Sequence, residues 1–275
     1  MFRLSVECTR ASRDLLLAEV YEAGTSGVVE HELPDGGCRL EAFFDTEAEV
    51  SALAQRLSSW NTSISPCEAR DWVAFSQEQW QPELVGERFF LVPAWRRDPT
   101  PQDRLRLTMP PGTAAGTGLH IATQLALEGL ERYTSPRTFV LDLGTGSGIL
   151  AEAAALLGAR RVAACDIEDD AVRAASEYLS EQCAPVSLFV GSLRSVRPAV
   201  VDLLVANINA QAIRYLACEI ARVILPGGLA IVTGFQSDEA GQVERLLVTK
   251  GLLLRERIQK NDWACLICVK DASHG

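Results

Sequence analysis

The stretch LDLGTGSGIL, residues 141–150, decides the fold of this chain. It joins an apolar run that begins at Thr138 to a segment with helical spacing, and the junction is rich in glycine. Glycine accepts the backbone angles of a sharp turn and lets backbone amides approach a ligand closely. The stretch therefore predicts a strand, a ligand-binding turn and a helix, which together form the first unit of a doubly wound α/β sheet.

Strand-like and helix-like segments alternate from this turn to the end of the chain. Near-continuous apolar strands such as VDLLVANI, residues 201–208, are typical of a parallel sheet that helices cover on both faces. The closing runs LLLRERIQ and WACLICVKD follow each other directly and predict an antiparallel edge. We therefore predict a seven-stranded, Rossmann-like α/β domain over residues 101–275.

The N-terminal segment has a different pattern. Residues 2–8 alternate like a strand, residues 12–24 have helical spacing, and two strand-like runs flank the turn Pro-Asp-Gly-Gly. A second amphipathic helix follows Thr46 as its cap, and TSISPCEARDW predicts a last strand. The order β-α-β-β-α-β predicts a ferredoxin-like α+β domain over residues 1–71.

Residues 72–100 break this periodicity. Trp72, Trp80 and Trp95 are scattered among prolines in this segment. We therefore predict a connector that includes a short helix near Ser76 to Gln81.

The composition is that of a globular protein. The chain has 275 residues, of which 48% are hydrophobic and 23% charged. The opening MFRLSVECTRASRD lacks the apolar stretch of a signal peptide, and no segment approaches the roughly 18 apolar residues of a membrane span. We expect a soluble, cytoplasmic protein.

The negative charge is concentrated in the first third of the chain. The net charge is −10, and residues 1–95 hold 7 Lys and Arg against 16 Asp and Glu. Such a surface repels phosphate backbones and attracts cations, so we expect a basic protein as partner and no direct nucleic-acid contact. Charge that merely keeps the protein in solution is an equally good interpretation of this feature.

The eight cysteines indicate no metal or redox site. Only Cys265 and Cys268 lie close together, and no second pair has zinc spacing. An odd separation on a strand turns the two side chains to opposite faces of the sheet. We therefore interpret both thiols as structural and expect no metal.

The spacing of the glycines in the turn favours one class of cofactor. A dinucleotide fingerprint G-x-G-x-x-G would require a third glycine at position 149, where this chain has Ile149. Asp142, just before the turn, would repel a pyrophosphate but tolerates S-adenosylmethionine, which carries no phosphate. The turn therefore favours S-adenosyl-L-methionine over NAD, with a site for another nucleotide as the alternative.

The ends of the next strands supply further candidate contacts. Asp166 ends the second strand, 22 residues after Gly144, where a carboxylate accepts hydrogen bonds from ribose hydroxyls. Ser192 and Leu193, after the third strand, are candidates to flank the adenine, although a serine at this place is also an ordinary turn residue. The fourth strand ends in Asn207-Ile208-Asn209-Ala210, which lacks the prolines and aromatic ring of enzymes that methylate nucleobases. This tetrapeptide suits an aliphatic amine better.

The whole chain resembles one family, the PrmA-type ribosomal-protein lysine methyltransferases, which trimethylate large-subunit ribosomal protein eleven. The resemblance rests on the small acidic N-terminal domain, the DW...W.P segment, the loop PPGTAAGTGLHIATQ, and the motifs LDLGTGSGIL, VANINA and LPGG. It implies a class I methyltransferase domain, S-adenosylmethionine as cofactor, a basic ribosomal protein as substrate and a monomer. In that family the glycine-threonine-histidine loop closes over the cofactor, while the second glycine turn cradles it.

Carried over residue by residue, the resemblance implies a small set of site residues. Cofactor contacts fall on Thr123, Gly144, Asp166 and Asn207, and Gly146 and Ser192 belong to the same turn and strand end. Asn207 and His120 are the candidate catalytic residues, with His120 at the position of the loop histidine. A histidine that only caps a helix is the alternative for His120.

Four departures from the family pattern fall around the acceptor pocket: Ala115, Leu119, Ala122 and Asn209. Cofactor binding is therefore better supported than the identity of the substrate. A paralogue that methylates lysine in another protein and a cofactor-binding protein without activity remain the alternatives.

Overall fold

The structure is a computed structural model that describes residues 1–33, 36–67, 80–109 and 120–272. The chain divides into two compact units, Met1–Gln79 and Trp80–Gly275. None of the helices in the described ranges combines the length and apolar character that a membrane span requires.

The first unit is a four-stranded antiparallel sheet with two helices. Its elements are β1 (Phe2–Cys8), α1 (Arg10–Glu22), β2 (Gly27–Glu32), β3 (Cys38–Phe44), α2 (Glu47–Arg56) and β4 (Thr62–Pro66). The strand order is β2-β3-β1-β4. Leu16 of α1 and Leu53 of α2 lie in one buried cluster with Leu4 and Leu40, so both helices contribute to a single core. The Thr46 hydroxyl accepts the Glu49 amide at 3.3 Å, which confirms the cap expected at the start of α2.

The second unit is built around a seven-stranded sheet. Its elements are β5 (Glu83–Val85), β6 (Phe89–Pro93), β7 (Leu105–Met109), α3 (Ile121–Tyr133), β8 (Phe139–Leu143), α4 (Ile149–Leu156), β9 (Arg161–Asp166), α5 (Asp169–Glu181), β10 (Val186–Val190), a 3-10 helix (Leu193–Ser195), β11 (Val201–Asn207), α6 (Ala210–Val223), β12 (Ile224–Gln236), α7 (Ala240–Thr249), β13 (Leu252–Lys260) and β14 (Trp263–Lys270). The strand order is β10-β9-β8-β11-β12-β14-β13. Strands β8 to β12 run parallel, and β14 is antiparallel to both of its neighbours, as expected for the closing strands. The parallel order reverses between β8 and β11, where such sheets bind ligands at the strand C-termini.

The predicted connector, residues 72–100, contains two strands instead of irregular chain. Strands β5 and β6 form a small sheet with β7, and all five residues of β6 are buried in the second unit. The rings of Trp80 and Trp95 lie 5.5 Å apart in the same segment. Asp71, Trp72 and most of the short helix expected near Ser76 to Gln81 lie outside the described residues.

The two cysteines of β14 point to opposite faces of the large sheet, as strand alternation predicted. Cys265 and Cys268 are both fully buried, and they belong to the hydrophobic clusters on opposite faces of the large sheet. Burial raises the pKa of Cys268 to about 12, so its thiolate is strongly disfavoured. No group of potential metal ligands occurs in the described ranges.

A buried acid connects two helices of the second unit. Glu152 of α4 is 3% exposed and accepts a hydrogen bond from the hydroxyl of Tyr178 on α5. Desolvation raises the pKa of Glu152 to about 7, although the bond from Tyr178 acts in the opposite direction. The folded chain therefore binds a proton that the unfolded chain, with an ordinary glutamate pKa, has already released. The free energy of unfolding of the second unit therefore falls as the pH rises from about 4.5 to about 7.

We expect Glu152→Gln to stabilise the second unit at alkaline pH. The amide keeps an acceptor for Tyr178 and is never charged, so the cost of burying a carboxylate, up to roughly 3 kcal/mol, disappears. Urea unfolding should show a gain of about 1 to 3 kcal/mol at about pH 8.5 and a gain below about 1 kcal/mol at about pH 5. The exposed Glu177, next to Tyr178 on α5, is the matched control, and Glu177→Gln should show no such dependence on pH. An equal effect of Glu152→Gln at both pH values would contradict the raised pKa of Glu152.

Candidate functional site

The glycine turn after β8 adopts a conformation that requires glycine. Gly144, Gly146 and Gly148 have φ angles of 71°, 51° and 87°, in the left-handed region that other residues rarely adopt. The amides of Gly144 and Thr145 donate to the carbonyl oxygen of Cys165 at 2.9 and 3.0 Å. These bonds fasten the turn to the C-terminal end of β9.

The side chain of Asp142 stabilises the glycine turn. This side chain is fully buried, and Oδ2 accepts a hydrogen bond from the Thr145 hydroxyl at 2.7 Å. Desolvation, with a smaller contribution from the charge of Asp166, raises the pKa of Asp142 to about 7. Asp142 does not line the cavity of about 570 Å³ that opens beside the turn. Its influence on a ligand therefore passes through the conformation of the turn.

Asp166 lies at the end of β9 with both carboxylate oxygens engaged by backbone amides. Oδ2 accepts from Gly146 at 3.1 Å, and Oδ1 accepts from Glu168 at 3.2 Å. A carboxylate oxygen has more than one lone pair, so each can accept a further hydrogen bond from a ligand. The two amides fix the orientation of the carboxylate toward the cavity.

A cavity of about 570 Å³ opens beside the turn, at the C-terminal ends of the parallel strands. Its size is within the range of small-molecule sites. The predicted residues Gly144, Asp166 and Ser192 line it, whereas Gly146, Thr123, His120 and Asn207 do not. The side chain of Leu193 is fully buried in the core, so it does not flank this cavity as expected.

Two exposed apolar side chains on the cavity wall were missed by the sequence analysis. Ile167 is 75% exposed and Tyr215 is 76% exposed, and both line the cavity. The position of Ile167, directly after the candidate ribose acid, was a usable signal. Tyr215 lies within the amphipathic helix α6, where nothing in the local pattern distinguishes it from a solvated surface residue.

Thr123 and Asn207 form a direct contact between α3 and the end of β11. The amide Nδ2 of Asn207 donates to the hydroxyl oxygen of Thr123 at 3.0 Å, and Thr123 is 1% exposed. This bond fixes the orientation of the Asn207 amide through its Nδ2. Ile208, the next residue, lines the cavity.

His120 and Asn209 both begin helices. His120 Nδ1 accepts the Ala122 amide at 3.2 Å, and its ring lies edge-on against Trp263 with 4.3 Å between the centroids. Asn209 Oδ1 accepts the Ala212 amide at 2.8 Å, while the residue also lines the cavity. The departure from the family at Asn209 thus caps α6, and Ala122 is buried near the start of α3. Ala115 and Leu119 lie outside the described residues.

Comparisons with known proteins agree with this architecture. A solved structure titled as a ribosomal protein L11 methylase, from Lactobacillus delbrueckii subsp. bulgaricus, superimposes with a TM-score of 0.64 at 29% sequence identity. The matched region covers 70% of this chain and 98% of the Lactobacillus chain. The similarity places the second unit in the α/β methyltransferase fold.

Sequence relatives cover the chain more fully. A ribosomal protein L11 methyltransferase from Synechococcus elongatus is 33% identical over 287 residues, which span 97% of this chain and 95% of the relative. Another from Gloeobacter violaceus is 41% identical over 202 residues, 73% of this chain and 63% of the relative. The model of the family described as Ribosomal protein L11 methyltransferase (PrmA) matches residues 2–271. The chain belongs to the ribosomal protein L11 methyltransferase family.

Proposed function

We propose that this chain transfers methyl groups from S-adenosyl-L-methionine to ribosomal protein L11, which is large-subunit ribosomal protein eleven. The acceptors are amino groups of lysine side chains. The observation that carries the proposal is the hydrogen bonding of the glycine turn. The amides of Gly144, Thr145, Gly146 and Gly148 all donate to groups of the protein itself. A pyrophosphate would require such amides to be free, whereas S-adenosylmethionine does not.

The cavity residues suit the parts of this cofactor. Asp166 retains lone pairs for the ribose hydroxyls, and a charged acceptor makes such hydrogen bonds strong. Ile167 and Ile208 offer apolar surface for the adenine, and the Gly144 backbone allows close approach. We therefore assign cofactor contacts to Gly144, Asp166 and Ser192, with Gly146 supporting Asp166.

Asn207 is the residue that we assign to the acceptor amine. S-adenosylmethionine supplies an electrophilic methyl group for in-line displacement. Asn207 Oδ1 accepts a hydrogen bond from the neutral amine and aligns its lone pair, while Thr123 holds the amide in place. His120 supports the site by starting α3, the helix that carries Thr123. We assign no general base, so the chain contributes orientation and desolvation.

We assign recognition of the protein substrate to the first unit, a ferredoxin-like domain in our interpretation. Asp45, Glu47 and Glu49 are exposed at the start of α2, and none of them forms an ion pair within the described part of the chain. Such a negative surface attracts a basic ribosomal protein. A paralogue that methylates another protein would use the same surface chemistry with a different fit.

The proposed function predicts a difference between the full chain and its second unit. We expect the full chain to transfer tritium-labelled methyl groups to unmethylated ribosomal protein L11. The fragment 80–275 should bind S-adenosylmethionine with nearly unchanged affinity but label the protein at least tenfold more slowly, because it lacks the first unit. The fragment begins at residue 80 so that it keeps the buried strand β6.

Two results would contradict these assignments. A full chain that binds the cofactor but labels neither ribosomal protein L11 nor any other ribosomal protein would favour the inactive alternative. A fragment that labels the ribosomal protein as fast as the full chain would remove substrate recognition from the first unit. A melting transition of the fragment, measured in parallel, shows whether it is folded.

A further inference from the structure

A second cavity, larger than the first, lies on the sheet face formed by β8, β9 and β10. We call it the arginine groove; its volume is about 1060 Å³. The groove exists because residues 191–200, which connect β10 to β11 across β9 and β8, hold only the 3-10 helix Leu193–Ser195. A connection between parallel strands usually includes a full helix that covers the sheet. Here part of the sheet face remains open.

The rim of the groove is positive in a chain whose net charge is −10. Arg160, Arg161 and Arg197 line it, and no carboxylate does. Arg160 lies 3.4 Å from Asp202 but keeps 63% of its side chain exposed. Arg197 forms no ion pair or side-chain hydrogen bond with any described residue. At least two guanidinium groups are therefore available to an anionic ligand.

The floor of the groove is apolar and includes two aromatic rings. Phe139 on β8 and Phe189 on β10 line it from the two sides of β9, and the small Ala163 of β9 lies between them. The guanidinium of Arg161 lies 5.1 Å from the centroid of the Phe139 ring. Aromatic side chains bordered by arginines are the chemistry that holds unstacked bases and their phosphates.

We propose that the arginine groove binds a segment of single-stranded RNA. The positive rim accounts for phosphates and the rings of Phe139 and Phe189 account for bases, whereas a peptide made only of acidic residues would use the rim alone. The hydroxyls of Ser187 and Ser195 also line the groove and can bond to a ribose 2′-hydroxyl, which favours RNA over DNA. The acidic first third of the chain predicted no nucleic-acid contact, and the proposal departs from that expectation for the second unit.

The groove lies next to the proposed methyl-transfer site. Gly191, Ser192 and Arg194 line the cofactor cavity, whereas Ser195 and Arg197 line the groove, so one short loop separates the two. The choice of RNA rests on the proposed function in one respect, because a ribosomal protein is a substrate that is presented beside RNA. The bound RNA segment would belong to that environment and would take no part in the methyl transfer.

Fluorescence anisotropy with a short fluorescein-labelled oligouridine tests the proposal on the full chain. We expect saturable binding that weakens roughly sevenfold between about 50 and about 200 mM KCl, as two phosphate contacts predict. The double variant Arg161→Gln with Arg197→Gln should bind at least tenfold more weakly. The matched control is Arg255→Gln with Arg245→Gln, because it also removes two positive charges and neither residue lines the groove. Arg255, like Arg161, packs over an aromatic ring, that of Tyr133 at 5.0 Å. The control should bind like the unmodified chain.

Several outcomes would overturn the proposal. These are the absence of oligouridine binding, equal binding by the groove double variant, and equal affinity for an oligothymidine of the same length. Tighter binding of a labelled oligoglutamate than of oligouridine would assign the groove to an acidic protein. Methyl transfer to isolated ribosomal protein L11 should be the same for the groove double variant and the unmodified chain. The absence of methyl transfer by the unmodified chain would contradict the proposed function and would leave the result on oligouridine binding unchanged.

Discussion

Asp166→Ala should weaken the binding of S-adenosyl-L-methionine at least tenfold in a calorimetric titration. The substitution removes the acceptor that we assign to the ribose hydroxyls, at a cost of about 1.5 to 3 kcal/mol for charge-assisted hydrogen bonds. It also leaves the amides of Gly146 and Glu168 without their acceptor, so the glycine turn loses one of its attachments to β9. Both effects weaken cofactor binding, which makes the expected loss a lower limit.

Two variants separate these effects. Asp166→Asn keeps an oxygen for one backbone amide but removes the charge, so it should bind the cofactor with intermediate affinity. Asp169→Ala is the matched control, because Asp169 is an exposed carboxylate in the first turn of α5 whose partner is Arg173. It should leave the affinity unchanged. An Asp166→Ala chain that binds the cofactor normally would remove Asp166 from the site.

The parts of the fold that could be predicted from the sequence are those whose signal is local. The strand before Gly144, the glycine turn and helix α4 follow one another within one short stretch, and each leaves its own pattern of apolar residues or glycines. The antiparallel edge was equally clear, because β13 and β14 adjoin along the chain. The opposite orientation of Cys265 and Cys268 was predicted correctly from strand alternation alone.

Strands β5 to β7 could not be predicted because their signal is not local. Strand β5 has three residues, and β6 pairs in parallel with β7, which lies beyond an irregular segment that contains Trp95 and several prolines. The burial of β6 depends on packing against the rest of the second unit, including Leu125 of α3. A short apolar run with tryptophans and prolines around it has the same pattern whether it is a buried strand or a connector.

The site was predicted in its parts but not in its assembly. Gly144 and Asp166 could be placed from motif spacing, because strand ends in a parallel sheet meet at one edge. The contact between Thr123 and Asn207 joins residues 84 positions apart, and no spacing rule predicts such a contact. The role of His120 as a helix cap could be stated only as an alternative, since a cap and a loop histidine have the same sequence.

Asn207→Ala should lower kcat about 10- to 100-fold while changing the affinity for S-adenosylmethionine less than about threefold. Asn207 does not line the cofactor cavity, and its Oδ1 is the acceptor that we assign to the amine. An interaction that orients the attacking amine acts mainly in the transition state, so its loss appears in kcat. Single-turnover methylation of ribosomal protein L11 together with calorimetric titration of the cofactor measures the two quantities.

Thr123→Val provides the test of how Asn207 is held. Valine has nearly the same shape as threonine but offers no acceptor, so Asn207 Nδ2 loses its partner at 3.0 Å and the amide can rotate. We expect kcat to fall by less than in Asn207→Ala, and the combined variant to be no slower than Asn207→Ala alone, because both act through the same amide. Additive losses in the combined variant would show that Thr123 acts independently of Asn207.

The pH dependence of kcat/KM follows from the absence of an assigned base. A lysine with a pKa of about 10.4 is protonated at neutral pH and cannot attack the methyl group until it loses a proton to water. Entry into a desolvated site beside a cationic sulfonium lowers that pKa, since both effects disfavour the ammonium form. We therefore expect kcat/KM to rise between about pH 7 and about pH 9, and Asn207→Ala to lower the whole curve without moving it along the pH axis. A flat curve with chemistry shown to be rate-limiting would mean that a residue of the protein removes the proton, and the assignment of Asn207 as an orienting group alone would then be wrong.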